Sequence, residues 1–174
     1  MPYYLAAIEA MDFQIGRLIN GLTQEERDNT IILFMGDNGT PNEVGQSPYP
    51  DNAVKGSLYQ GGINVPLFVS GKGVQRTGND YNLLTSTDLF STIAQLAGVD
   101  SDEIHDSKSF MNLLTADDGQ RAFQYSEMES PNASKWAISN GDYKLIVRAN
   151  GAQELYDLVS DPYESCLLYT SPSP

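Results

Sequence analysis

Three side chains in this sequence have the types and setting to do chemistry together: Asp37, Asn38 and Lys55. Asp37-Asn38-Gly39 ends the apolar run of TIILFMGDNG, residues 30–39, and offers only oxygen ligands at the end of a strand. Such donors suit a hard cation, calcium or magnesium, and not zinc. Taken alone, Asp-Asn-Gly is also the composition of a turn whose side chains bond the local backbone, and that is the commoner arrangement. Lys55 lies among glycines in KGSLYQGG, residues 55–62. There a backbone can approach a ligand closely and a flexible ammonium can meet an oxyanion, although a solvated surface lysine is the commoner fate.

The elements that must position these residues are legible in the hydrophobic pattern. Ile31, Ile32, Leu33 and Phe34 run without polar alternation, which predicts a strand buried on both faces of an α/β sheet. Ligands gather at the carboxyl ends of such strands, where Asp37 and Asn38 stand. Upstream, Tyr4, Leu5, Ile8, Met11, Ile15, Leu18, Ile19 and Leu22 recur at helical spacing and predict an amphipathic covering helix. Gly21 and the polar run from Thr23 to Asn29 end it and lead into the strand. A helix followed by a buried strand is half of a βαβ unit, so the partner strand is expected upstream and the chain reads as beginning within a domain.

After the strand, residues 40–54 hold Pro41, Pro48, Pro50 and Gly45, and no regular element is expected. Loops of this length in compact domains are often functional. VPLFVS, residues 65–70, predicts a second short strand, with Pro66 at its entry. Ser86 or Thr87 can cap a helix carrying Leu89, Phe90, Ile93, Leu96 and Ala97, and Gly98 closes it.

Beyond Val99 come the acids Asp100, Asp102, Glu103 and Asp106, whose spacing matches no EF-hand and reads as a solvated loop, followed by a short helical candidate at residues 109–114. A soft boundary falls near residues 116–120. Four β-prone runs then follow, residues 122–128, 135–139, 143–148 and 154–158, with Asn140-Gly141 and Asn150-Gly151 as hairpin signals. They predict a small antiparallel sheet, structural more than catalytic. Trp136 and Tyr143 read as packing residues of that sheet in preference to sugar-stacking ones, and Asn132-Ala133-Ser134 fits a glycosylation acceptor.

The 174 residues, 40% hydrophobic, suit one globular domain or one domain with a small appendage. A formal charge of -13 argues against nucleic acid or an anionic membrane as a partner through overall electrostatics. An anionic substrate must therefore be held by local positive charge. No window approaches the roughly 18 apolar residues of a membrane span, and the N-terminus lacks the pattern of a signal peptide. Cys166, the single cysteine, excludes an internal disulfide. It opens the segment CLLYTSPSP, residues 166–174, which resembles in frame the translation of a transposase-based sequencing adapter and reads as a non-native, disordered tail.

Residues 4–22, 29–39, 55–73, 88–98 and 136–164, the last with YKLI and ELYDLVSDPYE, resemble in order the second half of a type I sulfatase. The resemblance covers residues 1–165 and implies the alkaline phosphatase superfamily, whose sulfatase members hydrolyse sulfate esters with a formylglycine made from cysteine or serine. It implies an α/β fold: residues 1–118 as the C-terminal portion of a three-layer catalytic domain and 119–165 as a small antiparallel β subdomain. Asp37 and Asn38 match the family's Asp-Asn pair of calcium ligands, and Lys55 matches the lysine that contacts the sulfate. Calcium is the implied cofactor, a sulfated small molecule or glycan the implied partner, and the periplasm or the cell exterior the implied compartment.

The departures from the family pattern are equally specific. The Cys/Ser-x-Pro-x-Arg nucleophile motif, two further acidic calcium ligands and an upstream sulfate-contacting histidine are not in these residues. His105 falls after the metal pair, in an expected exposed loop, and Gln60 stands where the family often has glutamate. The resemblance thus implies a fragment with half of a calcium site, one sulfate-binding lysine and no activity alone. The alternatives are a phosphate or phosphonate monoester hydrolase of the same superfamily, or a non-catalytic cation- or glycan-binding module.

Overall fold

The structure, a computed structural model, describes residues 1–99, 105–129 and 134–171. Helix α1 (Pro2–Gly21) opens with proline in its first turn, where a missing N–H costs no hydrogen bond. Its stripe has the expected spacing but is covered only in part. Tyr4, Ile15, Ile19 and Leu22 are half-buried, whereas Leu5, Ile8, Met11 and Leu18 are exposed. The polar run that follows is a helix of its own, α2 (Gln24–Asp28). Thr23 and Glu26 form a reciprocal capping box, with Thr23 N–H to Glu26 Oε2 at 2.7 Å and Glu26 N–H to Thr23 Oγ1 at 3.3 Å. The Thr-x-x-Glu spacing was the available signal for it.

Strand β1 (Ile31–Met35) follows and pairs antiparallel with β2 (Leu67–Gly71), Leu33 opposite Val69. Every residue of β1 is half-buried, and not fully buried on both faces as expected. One face of the ribbon, Ile31, Leu33, Leu67 and Val69, packs on Phe110, Leu113 and Leu114. The other carries Phe34 and Phe68, ring centroids 6.1 Å apart, with Phe68 exposed. Pro66 precedes β2 as expected, and its carbonyl accepts the Gly36 N–H at 3.0 Å. The loop between the strands holds one short 3₁₀ turn, Asn42–Val44, and ends in helix α3 (Gln60–Ile63).

Helix α4 (Asp88–Leu96) buries polar residues most fully, with Leu89 half-buried against the cluster of Phe110, Leu113 and Leu114. Its buried residues are Asp88, Ser91 and Thr92, while Phe90 and Ile93 are exposed. Neither Ser86 nor Thr87 caps it through a side-chain hydrogen bond to the helix. Instead the Asp88 carboxylate accepts the Thr85 and Lys108 N–H groups, each at 2.9 Å, and pairs with Arg121 in the interior. Thr92 Oγ1 donates to Asp88 O at 2.7 Å and accepts the Phe110 N–H at 3.0 Å, tying α4 to the 3₁₀ turn Met111–Leu114. Thr92→Val keeps the shape but strands a buried N–H, so we expect a loss of about 1–3 kcal/mol. Urea unfolding checks this, and an unchanged midpoint would show the bond to be dispensable.

The remaining strands, β3 (Gln124–Met128), β4 (Lys135–Ser139), β5 (Tyr143–Arg148), β6 (Gln153–Asp157) and β7 (Tyr169–Ser171), form one antiparallel sheet in sequence order. Asn140-Gly141 and Asn150-Gly151 make the two hairpin turns expected of them. Asn140 Oδ1 accepts the Asp142 and Tyr143 N–H groups at 3.1 and 2.8 Å, and both glycines have positive φ. Residues 169–171 of the tail form β7, with Tyr169 opposite Leu155. An uncovered edge of β6 offers unpaired backbone groups, and an extended segment that reaches it can take them up.

The sheet is more than an appendage, because its inner face holds part of the loop between β1 and β2. Leu58, Ala137, Ile146 and Tyr156 form one buried cluster, against which Tyr59, Ile63, Met128 and Leu158 pack.

Candidate anion and cation site

The turn after β1 and the segment around Lys55 abut through main-chain hydrogen bonds. Gly39 N–H donates to Gly62 O and Lys55 N–H to Thr40 O, each at 3.0 Å. Three glycines make this approach possible. A Cβ on Gly39 would lie 1.9 Å from Gly61 O, on Gly61 2.2 Å from Ala53 O, and on Gly62 2.4 Å from Ser57 O. Beneath them Ala53, Val54, Ser57 and Leu58 are buried, and Ser57 Oγ donates to Val54 O at 2.6 Å.

Asp37, Asn38 and Lys55 are exposed on this frame. Asn38 Nδ2 donates to Gly39 O at 3.2 Å, which commits the amide nitrogen and leaves Oδ1 an acceptor. The donor set is two adjacent hard oxygens, the chemistry calcium selects, but a fraction of the roughly six to eight oxygens it needs. Among the described residues no three His, Cys, Asp or Glu side chains gather as a metal site. The residues therefore fit as part of a calcium shell and not as a whole one.

The sheet supplies a second layer of support. Tyr59 OH donates to Glu154 Oε2 at 2.7 Å, Tyr156 OH reaches the same oxygen at 3.1 Å, and Arg148 Nε pairs with Glu154 Oε1 at 2.5 Å. Burial pushes Glu154 up, but the bonds from Arg148, Tyr59 and Tyr156 outweigh it and hold the carboxyl below its usual range. Burial, with Tyr59 and Glu154 close by, pushes the Tyr156 phenol far up. Gln60 opens α3, and its backbone N–H donates to Glu164, whose carboxylate pairs with Lys144 in the interior. Sequence reasoning missed Lys144 and Glu164. The signal was there, because period-two alternation along β5 puts Lys144 on the same inner face as Ile146, and a lysine there needs a carboxylate.

The other sequence candidates fall outside this frame. His105 is exposed in a turn with positive φ, as expected of a loop residue. Of the acidic run, residues 100–103 lie outside the described residues, and Asp106 O accepts from Arg121 at 2.6 Å. Of the glycosylation triplet, Asn132 and Ala133 lie outside them as well. Trp136 stands on the outer face of the sheet beside Tyr125, ring centroids 6.3 Å apart.

A family model described as Sulfatase matches residues 1–99, and one described as N-sulphoglucosamine sulphohydrolase, C-terminal, matches residues 53–173. The chain belongs to the sulfatase family. A choline-sulfatase of Rhizobium meliloti (strain 1021) is 28% identical over 174 residues, covering 97% of this chain and 33% of that protein. Arylsulfatase K of Mus musculus is 26% identical over 176 residues, covering 93% of this chain and 31% of its own length. The structure of BT4656 in complex with its substrate D-glucosamine-2-N,6-O-disulfate superposes with a TM-score of 0.73 at 26% identity, over 92% of this chain and 34% of that one. The sulfatase chain thus spans about a third of the length of the curated relatives it matches, and its helices and antiparallel sheets are those of an α/β C-terminal sulfatase region. Among its described residues no helix is long and apolar enough to cross a membrane.

Proposed function

We propose that Asp37 and Asn38 supply part of a calcium site, and Lys55 a sulfate contact, in a longer polypeptide that hydrolyses sulfate esters with a nucleophile outside residues 1–174. The observation that carries this reading is the pair of main-chain bonds from Gly39 to Gly62 and from Lys55 to Thr40. They join the segments that carry an oxygen-donor pair and an exposed ammonium.

Each residue has a definable part. Asp37 and Asn38 would hold calcium through a carboxylate and an amide oxygen, and the bound ion would supply polarisation of the sulfate oxygens. Lys55 brings an ammonium to the sulfate and stabilises the negative charge that grows on it as the ester bond breaks. In a chain of formal charge -13, an anionic ester meets net repulsion, so binding depends on such local cations. The sulfated sugar in the BT4656 complex supports a sulfated glycan or small molecule as the substrate class.

The reading is tested with the longer polypeptide on an aryl sulfate. Chelation abolishes turnover and calcium restores it, and Asp37→Ala raises the calcium needed for half-maximal rate about 10- to 100-fold. Turnover indifferent to chelator, or an unchanged calcium requirement in the variant, would refute the metal role.

A further inference from the structure

The sheet reaches the Lys55 segment through a buried ion pair. Lys144 is 2% exposed and the Glu164 side chain 0%, with Nζ and Oε1 2.5 Å apart. Burial pushes the Lys144 ammonium down and the carboxylate beside it opposes the fall. The second oxygen of Glu164 accepts the Gln60 N–H. Glu164 takes up this place at φ 57°, a left-handed conformation that residues other than glycine hold only when their surroundings over-determine it.

Stability alone does not account for such a pair, since well-packed apolar residues often replace a buried ion pair at no cost. What a paired carboxylate adds is a fixed acceptor under a chosen backbone amide. Gln60 follows Lys55 by five positions, and the residues between are also held from the sheet. Leu58 fills the Ala137, Ile146 and Tyr156 cluster, and Tyr59 OH donates to Glu154. With Lys55 N–H tied to Thr40 O, the segment 55–60 is fastened at both ends.

We propose that Glu164, held in place by its ion pair with Lys144, is a positioning residue that fixes the backbone carrying Lys55 for contact with an anion. This rests on the reading of Lys55 as the sulfate contact. Glu164 touches no reacting atom; it acts through Gln60.

The test uses the longer polypeptide with calcium, isotope-labelled selectively at glutamine and lysine, with inorganic sulfate as the probe, as wild type, as Glu164→Gln and as the double variant Lys144→Met with Glu164→Gln. The double variant leaves no unpaired buried ion and so keeps the comparison open if the single one unfolds. In the wild type the Gln60 amide proton lies downfield, and sulfate shifts the Lys55 signals. In both variants the Gln60 proton moves upfield and sulfate affinity at Lys55 falls about tenfold, the lower end of what supporting contacts contribute. A Gln60 resonance that stays in place overturns the contact. A resonance that moves while sulfate affinity holds overturns the positioning role and leaves a merely structural one. If sulfate leaves wild-type Lys55 untouched, the reading of Lys55 falls, and the positioning role falls with it.

Discussion

Replacing Lys55 by alanine in the longer polypeptide lowers kcat/KM for an aryl sulfate by about two to three orders of magnitude, the usual loss when one charge-stabilising group leaves a transition state. The fold stays intact. Lys55 is exposed, and its fixed contact is a backbone bond to Thr40 that alanine retains, so stability moves by no more than about 0.5 kcal/mol. Lys55→Arg keeps the charge but spreads it over a planar fork and recovers part of the rate. Steady-state kinetics beside a thermal melt separate these effects. Wild-type rates in the alanine variant would end the case for Lys55.

Gly39→Ala acts on stability by the opposite logic. A Cβ there would sit 1.9 Å from Gly61 O and 2.8 Å from the Gly62 Cα, and neither is the end of a flexible side chain. Relief requires the turn after β1 to part from the Lys55 segment, breaking the bond from Gly39 N–H to Gly62 O. We expect a loss of about 3 kcal/mol or more, at or above the upper end of ordinary overpacking. Gly16→Ala, inside α1 with nothing within 4 Å of the new methyl, gains about 1 kcal/mol instead. A urea midpoint for Gly39→Ala at or above that of the wild type would contradict the close packing described at Gly39.

How far the sequence anticipates this depends on how local the determinants are. The stripe of α1, the apolar run of β1 and both Asn-Gly hairpins rest on contacts within a few residues, and the structure has each of them. The pairing of β1 with β2 joins residues 32 to 40 positions apart, and an apolar run does not state its partner's direction. Helix α4 shows the limit more sharply. Its inward face is polar because Ser107, Phe110 and Arg121, from elsewhere in the chain, meet Ser91, Thr92 and Asp88. Phe90 and Ile93, two of its apolar residues, are exposed. Asp37, Asn38 and Lys55 stood out by residue type and glycine context. Glu164 did not, since 104 positions separate it from Gln60 and a lone glutamate in DPYE reads as surface.

The packing of Leu58 into the cluster of Ala137, Ile146 and Tyr156 also governs which sulfatase segments are interchangeable. A chimera joined between α3 and β3 would set a loop from one parent on a sheet from another. Residue 58 would then meet a hollow or a bulge where Ile146 now fits it, and Gln60 would lie over whatever the new parent carries in place of Glu164. Recombination between homologues is therefore tolerated best when residues 57–63 travel with the strands beneath them, and drift at position 58 is constrained by positions 137, 146 and 156.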